Sequence, residues 1–256
     1  MNIILLIISL LIIVIPIYLI GKYFYNKDTI KEPKKLLTKL FISGIFSVII
    51  VIIISMYGIL IIPAFESVEK INNLFVLFIY CFFFVATLEE VSKFAMIYSI
   101  SYNNKEFDQA YDIILYSVFV GLGFAFFENI IYLFGSNINI IIAILRGVTA
   151  VPAHVCFQTI MGYHLYLSKI KDKNTNISLS ILIPILLHGI YDFIIFSQKG
   201  ILALSFVFLL IIFIIYANSK MKKLIEIDKS NLKPFCPRCG NRINYQYCSK
   251  CGYKKQ

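Results

Sequence analysis

Apolar residues in this chain run together instead of alternating with polar ones. Six stretches without a charged residue, 2–21, 40–65, 71–88, 147–168, 174–191 and 200–219, approach or exceed membrane-spanning length, and a seventh, 113–137, is interrupted by Glu128 alone. A helix needs about 20 apolar residues to cross about 30 Å of hydrocarbon. The pattern therefore predicts seven transmembrane helices, near 2–20, 40–62, 74–98, 113–133, 140–167, 177–197 and 200–218. Runs this long and uniform exclude the alternating strands of a membrane barrel. The expected fold class is all-α, a polytopic membrane helix bundle with a small C-terminal module.

The polar positions between the runs are asymmetric. Lys22, Lys27, Lys31, Lys34, Lys35 and Lys39 follow the first run, Lys105 the third, Lys169, Lys171 and Lys173 the fifth, and Lys220, Lys222 and Lys223 the seventh. The opposite loops carry only Lys70 and Lys199. The positive-inside rule then predicts a multi-pass protein of the cell membrane, with its N-terminus outside and its C-terminus in the cytoplasm. No positive side chain precedes the first run and no small-residue cleavage site follows it, so a retained helix is expected there, not a signal peptide.

Composition agrees with the pattern: 59% of the 256 residues are hydrophobic, with 23 Phe and no Trp, and mean hydropathy is +0.83. Net charge is +10. Attraction to anionic lipid accounts for that excess more simply than nucleic-acid binding. Three segments are expected: a membrane domain over 1–219, a basic linker over 220–233 and a cysteine module over 234–256. In the last, FCPRCGNRINYQYCSKCGY places Cys236, Cys239, Cys248 and Cys251 as two CxxC turns, each followed by glycine. Four thiolates at this spacing suit one tetrahedral structural zinc ion, and a cytoplasmic tail disfavours the alternative of two disulfides. Such a ribbon could serve a cytoplasmic protein partner. Cys81 and Cys156 lie within spans and read as small packing residues.

The informative residues are those the bilayer should reject. Glu89, Glu90, Lys93, Glu128, Arg146, His154, His188 and Asp192 all fall in or at the margin of predicted spans. A charge at the membrane centre costs about 2.5 to 3.5 kcal/mol even on a lenient scale, so these groups should face one another. Glu89 and Lys93 are i,i+4, as are Phe124 and Glu128, and His188 and Asp192. Glu90 points about 100° away from Glu89, which predicts packing, substrate contact or charge balance with Lys93. Pro152 and Pro184 precede His154 and His188 and are candidate kinks. Two imidazoles and a carboxylate suffice for a catalytic zinc. The candidate ligands are His154, His188 and either Glu128 or Asp192, with Glu89 as base. Metal-free activation of water by Glu89 is the alternative chemistry. A transporter or ion path, and a membrane scaffold acting through the ribbon, are the alternative functions.

These motifs resemble the PrsW family of intramembrane proteases, related to the CAAX-processing and bacteriocin-immunity membrane peptidases. The likeness rests on EExxK (Glu89, Glu90, Lys93), FxxxE (Phe124, Glu128), HxxxD (His188, Asp192) and the RGVTAVPAH stretch with Arg146 and His154. The resemblance implies cleavage of a membrane-anchored protein or peptide, the best-known family substrate being an anti-sigma factor. By likeness to the CAAX group, Glu89 would activate water, His154 and His188 would be polar partners or metal ligands, and Asp192 would orient them. Glu128 stands where that group has a histidine.

Overall fold

The computed structural model describes residues 3–197 and 200–231, together with Arg238, Cys251 and Tyr253. Seven helices long and apolar enough to cross a membrane account for nearly all of it. They are α1 (Ile3–Lys27), α2 (Lys34–Ile61), α3 (Leu74–Ser101), α4 (Asp112–Gly135), α5 (Ile140–Ile170), α6 (Lys173–Phe196) and α7 (Gly200–Asn231). Outward-facing Phe46, Ile53, Phe83, Leu182 and Phe208 give the bundle an apolar surface suited to lipid. No strand occurs among the described residues. The chain is a multi-pass, all-α membrane protein.

Three helices, α3, α5 and α6, begin where a short polar side chain can take up the first free N–H groups. Asn73 accepts from the backbone of Phe75 and Val76, Asn139 from Ile141 and Ile142, and Asp172 from Thr175. Helix α4 is the axis of the bundle and its most buried span, packed between α2 and α5. Gly44 of α2 and Gly123 of α4 make that approach possible, because a Cβ on either would run into the opposite backbone.

Several expected boundaries shift. Helix α1 continues to Lys27 and α2 starts at Lys34, well beyond the apolar runs. Lysines at helix ends can keep their charge in the headgroup region, so polarity does not stop the helix there. Likewise α7 extends as far as Asn231, over most of the expected linker. Its carboxylate Asp228 accepts from the backbone N–H of Ala110 and Tyr111, at 2.7 and 2.8 Å. At the same end the Tyr111 hydroxyl donates to the Phe24 carbonyl and the Tyr116 hydroxyl to Glu32, at 2.9 and 2.6 Å. These bonds tie α1, α4, α7 and the 28–33 loop together. Cys236, Cys239 and Cys248 of the expected ribbon lie outside the described residues.

Candidate metal centre

Local irregularities in two helices set up the site. In α3 the segment Tyr80–Ala86 is a π-helix, and the Thr87 N–H bonds back to the Phe82 carbonyl. The Thr87 hydroxyl donates to the same carbonyl at 2.8 Å. Opposite this wide turn, Gly189 of α6 leaves room for the Phe82 ring. The wide turn re-aims the helix that follows it, and Glu89, Glu90 and Lys93 all end up buried. In α5 the regular helix breaks between Val148 and Ala150. Pro152 explains the position, since its ring clashes with the carbonyl four residues earlier, that of Val148. By contrast, α6 runs unbroken through Pro184.

Four helices contribute to one cluster. The Lys93 ammonium lies 2.6 Å from Glu90 Oε1, 3.5 Å from Glu89 Oε2 and 3.3 Å from His154 Nδ1. An ammonium only donates, so Nδ1 of His154 carries the lone pair and Nε2–H donates to Glu128 Oε2 at 2.9 Å. Glu128 also pairs through Oε1 with Arg146 Nη2 at 2.9 Å. His188 Nδ1 lies 2.8 Å from Glu90 Oε1, while its Nε2 faces Asp192 Oδ2 at 3.4 Å and Glu89 Oε2 at 3.8 Å.

The structure thus brings Glu89, Glu90, Lys93, Glu128, Arg146, His154, His188 and Asp192 to one place. Phe124 supplies a ring 4.0 Å from the Lys93 ammonium, a cation–π contact that explains its place in the FxxxE pattern. Arg146 stacks over Tyr132 at 3.7 Å and donates from Nε to Asn129 at 2.7 Å. Sequence reasoning missed Gln158, which is fully buried and donates to Glu90 Oε2 at 2.8 Å. Its signal was present: it stands four residues after His154 and so on the same face of α5. The expected charge balance of Glu90 with Lys93 is found at 2.6 Å, but Glu90 also turns toward His188 and Gln158. Glu90 is the most heavily bonded carboxylate of the cluster, because its side chain is long enough to turn back toward α5 and α6.

Could these residues hold a metal ion? Glu89, Glu90, His154 and His188 each offer a ligand atom within 4.8 Å of the others, and all four residues are buried. Imidazole nitrogen and carboxylate oxygen are a fitting donor set for zinc. Charge supports the fit. Glu89, Glu90, Glu128 and Asp192 face only Lys93 and Arg146 as permanent cations. With neutral imidazoles the cluster is short of positive charge by the amount a divalent ion carries. A divalent cation held by Glu89, Glu90, His154 and His188 would supply that charge. Lys93 would then share Glu89 and Glu90 with it. Glu128 and Asp192, expected among the ligands, stand instead on the far nitrogens, Nε2 of His154 and Nε2 of His188, where they can orient the rings.

Comparison with known proteins bears on the chemistry. The pattern described as PrsW family intramembrane metalloprotease matches residues 32–218. The protease PrsW of Oceanobacillus iheyensis is 37% identical over 198 residues, covering 76% of this chain and 86% of its own. That of Clostridioides difficile is 36% identical over 231 residues, covering 86% and 92%. That of Bacillus subtilis is 32% identical over 176 residues, covering 67% and 75%. No solved structure matches. The matched region contains every residue of the buried cluster, and a metal-dependent hydrolytic function within the membrane accounts for both. By its match over most of its length, the chain belongs to the PrsW family of intramembrane metalloproteases.

Proposed function

We propose that the protein is an endopeptidase that hydrolyses a peptide bond of a membrane-anchored protein or peptide, with Glu89 as the base that deprotonates water. The observation that carries this assignment is the inequality of the two glutamates. Glu90 has both oxygens engaged, Oε1 by Lys93 and His188 and Oε2 by Gln158, and its side chain is fully buried. Glu89 makes only the longer contacts of 3.5 and 3.8 Å, and 10% of its side chain is exposed. Beside it, Glu128 and Asp192 keep 15% and 11%. Water and substrate can therefore reach the cluster from the side of Glu89, Glu128 and Asp192, away from the lysine-rich end.

In this reading Glu90, His154 and His188 hold the metal, with Glu89 at its edge. Zinc bound there would act as a Lewis acid on the scissile carbonyl and make water easier to deprotonate. The other roles belong to the chain. Glu89 takes the proton of the attacking water and returns it to the leaving amine. Glu128, clamped by Arg146, fixes the His154 ring, and Asp192 fixes His188. Lys93 keeps Glu90 ionised and in place.

The resemblance of the motifs makes a membrane-spanning anti-sigma factor a reasonable substrate. The lysine bias supports an outside N-terminus and a cytoplasmic C-terminus. The four-cysteine tail is read as a structural zinc ribbon on the cytoplasmic side, available to a protein partner. The test is a reporter substrate in cells: Glu89→Gln, His154→Ala and His188→Ala should leave protein level unchanged and abolish the cleaved product. Continued cleavage by all three variants would remove the assignment.

A further inference from the structure

Away from the metal centre, on the other side of α4, a cleft of about 760 Å³ opens between α1, α2 and α4. Its floor is apolar: Ile17, Leu37 and Leu122 are buried there, and Phe119 and Phe126 continue the wall toward the membrane interior. Its mouth is polar and lies at the lysine-rich end of the bundle, where Lys22, Asn26, Lys34 and Thr38 line it. This size suits a ligand rather than a packing defect.

The lysines at the mouth differ from their neighbour Lys31. Lys31 is occupied, donating to the carbonyls of Tyr25, Asn26 and Asp28 at the end of α1. Among the described residues Lys22 and Lys34 pair with no carboxylate, although both are exposed. Lys34 is also the first residue of α2, a 28-residue helix that starts without a side-chain cap. The Leu36 and Leu37 N–H groups bond to the Pro33 carbonyl, which leaves those of Lys34 and Lys35 open at this mouth, and a helix start favours phosphate.

We infer that this cleft is a binding site for an anionic phospholipid of the leaflet at the lysine-rich end. One acyl chain lies along the floor formed by Leu37, Leu122 and Phe119, and the phosphate sits between Lys22 and Lys34. A transmembrane segment of a substrate would bring no phosphate to these lysines. Basic pockets between membrane helices attract such headgroups, at about 1 kcal/mol for each lysine near the surface.

The test is native mass spectrometry of the full-length protein, stripped of lipid and titrated with phosphatidylglycerol or with phosphatidylcholine of the same chains. The wild type should retain phosphatidylglycerol preferentially. Lys22→Gln/Lys34→Gln should weaken that retention about 30-fold, the effect of two such lysines. Lys171→Gln/Lys173→Gln, at exposed positions outside the cleft, should leave it unchanged. Thr38→Phe, which fills the mouth and keeps both lysines, should weaken retention of both lipids in protein that melts at the wild-type temperature. The inference is overturned if the two lysine pairs behave alike, if the wild type shows no preference, or if folded Thr38→Phe protein binds as the wild type does.

Discussion

Glu89 and Glu90 are neighbours in sequence, and their surroundings give them different work. Glu89→Gln removes the proposed base and keeps the shape of the site. It should lower the cleavage rate by about 10²–10⁴, the usual contribution of a positioned base, while bound zinc is retained. Gln158→Leu acts one step further out, taking the donor from Glu90 Oε2. A zinc titration should show affinity about 10- to 100-fold weaker, as for other residues that orient a ligand; unchanged affinity would mean that Glu90 needs no such support. At this scale the sequence was legible where a charge interrupts an apolar run, as with EExxK, Glu128 and Asp192. Gln158 stayed hidden because an uncharged amide in a helix raises no alarm. Glu90 balances Lys93 as expected, but its contacts with His188 and Gln158 were not legible, because a helical wheel places Cα atoms while the carboxylate lies three bonds further out.

Among the helices, the seven spans could be read from apolar run length, but their irregularities could not. YCFFFVA continues an apolar helix in composition, and nothing in it marks the π-helix that turns Glu89 and Glu90 inward. Pro152 did announce the break in α5. The pairing across that break can be tested. Arg146 holds Glu128 between itself and His154, so Arg146→Gln leaves a largely buried carboxylate without its cation. A loss of about 3 kcal/mol of stability is expected, and Arg146→Gln/Glu128→Gln should recover much of it in a double-mutant cycle of thermal melts. Loops matter as well. Burial pushes the Glu32 carboxyl up to about 7, against the Tyr116 hydroxyl that donates to it, and the nearby Asp28, Asp108 and Glu106 add to the rise. Because the folded-state value lies above the unfolded one, the stabilisation is full below the ordinary carboxylate range and is lost as pH rises through about 7. The melting temperature of detergent-solubilised protein should therefore fall between about pH 5 and pH 8. Glu32→Gln, which still accepts the Tyr116 hydrogen bond, should flatten that fall.

For the molecule as a whole, the seven apolar runs read directly into a multi-pass bundle, because the bilayer allows a helix few alternatives. The convergence of α3, α4, α5 and α6 on one buried cluster was legible only as a requirement that isolated charges must meet. Which atoms meet depends on helix rotation and on the close α2–α4 contact at Gly44 and Gly123. The centre and the cysteine tail are separate zinc sites in this account, so they must be counted separately. The most direct measurement is the zinc content of purified full-length protein whose four tail cysteines, Cys236, Cys239, Cys248 and Cys251, are replaced by serine, assayed beside cleavage of a reporter substrate. One zinc per chain should remain, and His188→Ala in that background should remove it together with cleavage. Zinc-free protein that still cleaves the reporter in the presence of a chelator would contradict the assignment of Glu89, Glu90, His154 and His188 as a metal centre.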